Sequence, residues 1–298
     1  MGVTQADSQL LFYAKKIGVK FNHTCTLGRL NLYTSSDQIN ELIAKCEYVE
    51  LDPEIFQAND DYSESIFKLL GSKIIDSIDF SGYENATIIH DMNYPLHDDY
   101  TNKFNCIFDG GTLEHIFNFP VAIKNCMNSI KTGGHFIGSS PVNNQMGHGF
   151  YQFSPELYYR IFSEENGFRI IKMFVTFESD EVSEWYEVAD PKEVNSRVTL
   201  VNNVPLSLRF IAQKIEDKKV FAVSPQQSDY VNTWNAFRSV AEKKADLSGS
   251  RFKYFYRKLL PYRLKVILKN LYYIYKKDKL VSPTLGIINS DQFKKIEL

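Results

Sequence analysis

The chain lacks most of the short patterns that would mark a metal framework, a membrane span or a nucleotide loop, and each absence narrows what it can be. Its four cysteines, Cys25, Cys46, Cys106 and Cys126, are scattered without C-x-x-C spacing, so neither a zinc site nor a disulfide scaffold is indicated, and no metal is expected. No apolar run approaches the roughly 18 residues that a membrane span needs. The opening MGVTQADSQLLFYAKK has no basic start followed by an apolar core, so a cytoplasmic protein is expected. G-x-G-x-x-G after a first strand is missing, which argues against a nicotinamide-dependent enzyme, and no G-x-S-x-G turn supports an α/β-hydrolase. A formal net charge of -2 gives no global field to attract nucleic acid.

What is present is ordinary globular material: 44% hydrophobic and 23% charged residues allow a large core, expected as one main domain with an appendage. Short β-rich runs alternate with helical patterns. Strands are expected over residues 20–27, 73–81, 86–93, 103–111, 133–141, 169–179 and 207–215. Helices are expected over 35–46, 63–71, 121–131 and 155–166. That alternation predicts an α/β fold: a Rossmann-like, doubly wound, mostly parallel sheet with helices on both faces. The main domain is expected over 1–230, with an irregular insertion at 180–206 that covers the pocket. Residues 231–298 are expected to form a basic, aromatic-rich helical appendage.

Three of the expected strands finish on a carboxylate: Asp79, Asp91 and Asp109. Ligands of open parallel sheets bind at the carboxyl ends of the strands, where a strand-end acid accepts hydrogen bonds from a ribose diol. Asp79 suits the ribose. Asp91 suits an adenine amino group, with Met92 against the ring, although such acids also serve merely as loop caps.

After Asp109 come Leu113-Glu114-His115, a helix, the Gly133-Gly134 turn and Pro141, then His148, Phe153-Ser-Pro-Glu-Leu157 and Gly167-Phe168. In this order and spacing, residues 73–179 resemble class I S-adenosylmethionine-dependent methyltransferases of the Leu-Glu-His type. The resemblance implies S-adenosylmethionine as cofactor, held by Gly28, Asp79, Asp91, Met92, Asp109 and Gly110. That family usually ends its first strand in (D/E)-x-G-x-G-x-G. Here the corresponding stretch is Thr26-Leu27-Gly28-Arg29, with one glycine and with Arg29 placed to meet a carboxylate.

For the transfer itself, His115 and His148 are the candidate bases, since neutral imidazole accepts a proton near pH 7. Glu114 is expected to orient His115, cap the next helix or contact substrate. Asn143, Asn144 and Tyr151 are expected to face a polar, ring-shaped acceptor, a sugar or similar small molecule, as in surface-polysaccharide biosynthesis. The same aromatics equally suit burial under their loop. Residues 251–277 are rich in Lys and Arg, free of acids and interleaved with apolar residues, which fits peripheral contact with a membrane or packing on the domain. Two readings follow: an O-methyltransferase for a small polar or glycan acceptor, or a non-catalytic Rossmann-like module docked to a membrane or assembly through its basic tail.

Overall fold

The computed structural model describes residues 2–45, 61–178, 183–242, 261, 264, 267, 279–282, 286–289 and 291–297. The chain begins with β1 (Gly2–Val3) and α1 (Gln5–Lys16), a helix the sequence reading did not anticipate. Its start is fixed by a capping box: the Asp7 amide donates to Thr4 Oγ1 at 3.2 Å and the Thr4 amide donates back to Asp7 Oδ2 at 3.1 Å. Then follow β2 (His23–Leu27), β3 (Asn31–Leu32), α2 (Ser36–Lys45), α3 (Glu64–Leu69), β4 (Ile74–Asp79), β5 (Ile88–Ile89) and β6 (Phe104–Gly110). The second half holds α4 (Phe119–Ser129), β7 (Ile130–Asn143), α5 (Pro155–Ile161), β8 (Phe168–Glu178), β9 (Ser183–Val188), β10 (Leu206–Lys214) and α6 (Ser228–Glu242). Last come β11 (Lys279–Ser282), β12 (Gly286–Asn289) and β13 (Phe293–Ile296).

Nine strands form one sheet in the order β13-β9-β8-β10-β7-β6-β2-β4-β5. From β5 to β7 every neighbouring pair is parallel. β10 runs antiparallel to both β7 and β8, so β8 points the same way as the parallel set. The chain leaves β2 on one side for β4 and β5, then returns to its other side for β6 and β7. This reversal puts a crevice outside the carboxyl end of β2, the switch point of a doubly wound sheet.

Strand alternation divides the core into two layers. Cys106, Phe108 and Ile137 pack with residues of α1, α2 and α3, whereas Ile107 and Phe136 pack with residues of α4 and α5. Both faces are thereby covered, as parallel strands require.

Several expected boundaries change. The strand expected over 86–93 shrinks to Ile88–Ile89: Thr87 and Ser77 bond each other through side chains, the Ser77 amide donating to Thr87 Oγ1 at 2.9 Å, and Asp91 opens a turn. The Gly133-Gly134 turn lies within β7, whose register against β6 jumps from the Phe104–Ile130 pair to Cys106–His135. The expected 155–166 helix ends at Ile161 and gives way to a short 3-10 turn at Glu164–Asn166. The expected irregular insertion contains β9, whose Trp185, Tyr186 and Val188 are buried, so part of it belongs to the sheet and not to a cover. The chain end is likewise not wholly helical: β13 pairs antiparallel with β9 and completes the sheet. Apart from positions 261, 264 and 267, the basic stretch 251–277 lies outside the described residues. Among the described residues no helix is long and apolar enough to cross a membrane.

Candidate active site

The ends of β2, β4 and β6 are tied together by backbone and hydroxyl bonds. The Gly28 amide donates to the Ile78 carbonyl at 2.7 Å, joining β2 to β4. Thr112 Oγ1 donates to the Leu27 carbonyl at 2.7 Å, while the Thr112 amide donates to Asp109 Oδ1 at 2.8 Å. Thr112 thus adds a side-chain bond between β2 and the turn after β6, beyond their strand pairing, and the sequence reading missed it. Its signal was Asp109-Gly-Gly-Thr112, in which a strand-end Asp accepts from an amide three residues on.

At the switch point Gly28 has φ +75, a left-handed conformation that side chains other than Gly rarely adopt. A Cβ placed on it would stand 3.6 Å from Thr112 Oγ1 and 3.7 Å from Asp79 Oδ2. The bare backbone of this turn therefore lies against Thr112 and beside the Asp79 carboxylate. Asp79, half-buried at the end of β4, accepts from the Ser81 amide through Oδ1 at 3.1 Å. Asp91 accepts from both the amide and the side-chain nitrogen of Asn93, at 2.9 and 2.8 Å, so it shapes the turn after β5.

The other expected cofactor residues sit differently. Met92 is buried in the core layer that contains α4, with Asn125 Nδ2 3.9 Å from its sulfur. Asp109, expected to line the cleft, is buried; its Oδ2 has no partner, and burial raises its pKa. Gly110 is pressed against Leu30, whose Cδ1 is 2.9 Å from a Cβ position there, and faces the carbonyl of Gly2. Arg29 is committed elsewhere: its Nε donates to Glu64 at 2.7 Å, its Nη1 to the Glu84 carbonyl at 2.9 Å, and it lies 3.9 Å above the Tyr62 ring.

The Leu113–His115 segment is a 3-10 turn directly after β6. Across it lies the loop that follows β7. The amides of Phe150 and Tyr151 donate to the Glu114 carbonyl at 2.8 and 3.3 Å. Between these segments Gly149 has φ +76, and a Cβ on it would come within 2.9 Å of the Glu114 carbonyl oxygen and 3.1 Å of His115 Nδ1. Only a glycine lets the two backbones meet this closely, and the consequence is that His148 lands beside His115, ring centroids 5.2 Å apart. The sequence reading named both histidines, and the fold brings them together.

Glu114 lies beneath them with its side chain 1% exposed, and neither carboxylate oxygen has a hydrogen-bond partner. Its Oε1 stands 3.4 Å from His148 Nε2, and a ligand atom of each of Glu114, His115 and His148 lies within 4.8 Å of the other two. Burial, then the Asp109 charge, raises the Glu114 pKa. Burial, then His148, lowers that of His115, which favours the neutral ring.

The amides expected to greet an acceptor are used within the protein. Asn143 Nδ2 donates to Asn202 Oδ1 at 2.7 Å; Asn144 Nδ2 donates to Asn202 Oδ1 at 2.8 Å and to the Val204 carbonyl at 2.9 Å. They pin the loop after β7 to the segment before β10. Tyr151 donates its hydroxyl to the Phe117 carbonyl at 2.6 Å and stacks on Phe153. What does stand open near the histidines is the T-shaped pair Phe117–Phe150, centroids 5.9 Å apart and both rings exposed.

No family profile and no curated protein matches the sequence. Among solved structures, the chain is similar to the branched-chain polyamine synthase of Thermus thermophilus, solved with N4-aminopropylspermidine and 5'-methylthioadenosine. That match has 12% identity and a TM-score of 0.38, over 76% of this chain and 61% of the synthase. The chain therefore spans about three fifths of that enzyme. It is also similar to a SAM-dependent methyltransferase of Thermotoga maritima, at 13% identity and TM-score 0.36, over 71% of this chain and 91% of that one. A third likeness is to the trans-methyltransferase CalH in complex with SAH, at 9% identity and TM-score 0.35, over 71% and 55%. At these identities and scores no residue role passes from them to this chain.

Proposed function

We propose that the chain binds S-adenosylmethionine over the ends of β2 and β4 and transfers its methyl group to an oxygen of a small polar acceptor held beside His115 and His148. The observation that carries this reading is the switch point, where the left-handed, side-chain-free turn at Gly28 lies beside the strand-end carboxylate of Asp79. A ribose edge fits such a place: its two hydroxyls donate to the Asp79 carboxylate, and the absent side chain allows close approach. The order Asp109, Leu113-Glu114-His115, His148 adds the resemblance described for residues 73–179.

In this reading the cofactor supplies an activated methyl group on sulfur. The chain's own residues then have modest tasks. Asp79 and Gly28 fix one end of the crevice, and the histidine pair lies at the ends of β6 and β7, on the other side of the switch point. An acceptor hydroxyl aligned for in-line attack would lose its proton to the neutral imidazole of His115 as its oxygen bonds the methyl carbon and the methyl–sulfur bond breaks, the sulfur keeping the bonding pair and leaving as S-adenosylhomocysteine. The exposed Phe117–Phe150 faces suit the apolar face of a sugar or another ring, which keeps a glycan acceptor within this reading.

Isothermal titration tests the cofactor half directly. S-adenosylhomocysteine is expected to bind with one-to-one stoichiometry, and Asp79→Ala to weaken it by about tenfold or more, the scale of one lost charge-assisted hydrogen-bond pair. Absence of binding at millimolar ligand defeats the reading.

A further inference from the structure

We propose that Glu114, His115 and His148 form a binding site for one divalent transition-metal ion. The three side chains offer a carboxylate oxygen and two imidazole nitrogens that lie within 4.8 Å of one another. The Glu114–His148 separation, 3.4 Å, already matches the spacing of two donors about 2.0–2.2 Å from a shared ion. Closing the remaining gap needs a shift of about 1 Å, within reach of side-chain rotation because both imidazoles are exposed.

The observation that points to a ligand is Glu114 itself. A carboxylate with a 1% exposed side chain and two oxygens lacking hydrogen bonds is costly to hold in a fold, and buried acids are retained when paired or bound to metal. Here one of its oxygens lies within 4.8 Å of a nitrogen of each imidazole, and the neighbouring buried Asp109 has an unpartnered oxygen of its own. Among the described residues no Lys or Arg forms an ion pair with Glu114 or Asp109. A dication at this point would favour the ionised form of Glu114 and give its unpartnered oxygen a ligand to bind.

Two imidazoles and one carboxylate suit zinc, cobalt, manganese or iron better than magnesium or calcium, which favour all-oxygen cages. Three protein ligands also leave coordination positions for oxygens from outside. Resting on the methyl-transfer reading, this assigns the acceptor to molecules with two adjacent oxygens, such as a vicinal diol. An imidazole nitrogen bound to the ion could not take the acceptor's proton, so in the metal-loaded protein the ion would instead lower the diol's own pKa and the proton would pass to solvent, in place of the His115 base of the metal-free protein.

The test uses the full chain, freed of metal by EDTA and dialysed, titrated with Zn²⁺ calorimetrically and with Co²⁺ by visible absorption. One equivalent is expected to bind, with His148→Ala and Glu114→Gln each weakening it by about tenfold or more. His148 is a loop residue with half its side chain exposed, so its variant keeps the test valid if Glu114→Gln misfolds. No stoichiometric uptake, or equal affinity in the variants, overturns the site. S-adenosylhomocysteine is titrated separately on metal-free protein. Zn²⁺ uptake without nucleoside binding supports the site and defeats only the transfer reading, whereas nucleoside binding without Zn²⁺ uptake defeats the site alone.

Discussion

His135 shows how one buried side chain sets a pH response. It sits in β7, 8% exposed, with Nδ1 unpartnered, and burial followed by the nearby Arg169 lowers its pKa to about 4. Between its ordinary value near 6.5 and about 4, the unfolded chain binds a proton that the folded chain refuses. Stability is therefore lost as pH falls through that window and levels off below it, by roughly 3 kcal/mol in all. His135→Gln is expected to flatten this acid limb in chemical denaturation series from pH 7 to pH 4; an unchanged slope would show that the ring is not the source. Nothing in the sequence marked His135 as special, since its burial depends on which face of β7 it takes. The pair His115 and His148 was legible because each stands beside a strand end or between glycines. Their meeting was not, because they stand 33 positions apart and the close approach of their segments depends on Gly149. For the same reason a search for short metal-ligand spacings misses Glu114, His115 and His148.

At the scale of elements, the least anticipated piece is α1, and it is anchored by charge. Asp7 in its first turn accepts from Arg209 Nε of β10 at 3.0 Å, and both side chains are almost fully buried. Arg209 also donates to Thr176 of β8, and its guanidinium lies 5.7 Å above the Trp185 ring of β9. One arginine thus joins a helix to three strands. Removing one partner leaves the other charge stranded, so Asp7→Ala is expected to lower unfolding free energy by about 3–5 kcal/mol in urea titration. A companion change of Arg209 to Met should recover part of that loss. The strands and helices of the parallel half were readable from apolar periodicity and from acids at strand ends. Asp7 and Arg209, 202 positions apart, gave no local hint that they meet. β5 was overestimated because Thr87 and Ser77 replace ladder bonds with side-chain bonds, a competition that propensity alone does not reveal.

Taken whole, the molecule is one sheet with two characters: a parallel half that ends in the crevice, and an antiparallel half that carries the chain's last described strand. That last strand protects the assembly. β13 lies at the rim of the nine-stranded sheet, reading Phe293-Lys294-Lys295-Ile296, with its lysines exposed and Lys295 Nζ 2.7 Å from Glu184 of β9. Charged side chains on a rim discourage another chain from adding on. Without β13, the open amides and carbonyls of β9 would become a template, flanked by the aromatic Trp185 and Tyr186. Deleting residues 291–298 is therefore expected to increase concentration-dependent self-association, visible by light scattering against the full chain; unchanged scattering would show that β13 does not guard this edge. The short strand works as a guard against aggregation, a task that chemistry at the far edge of the sheet does not require but that keeping the protein dissolved does.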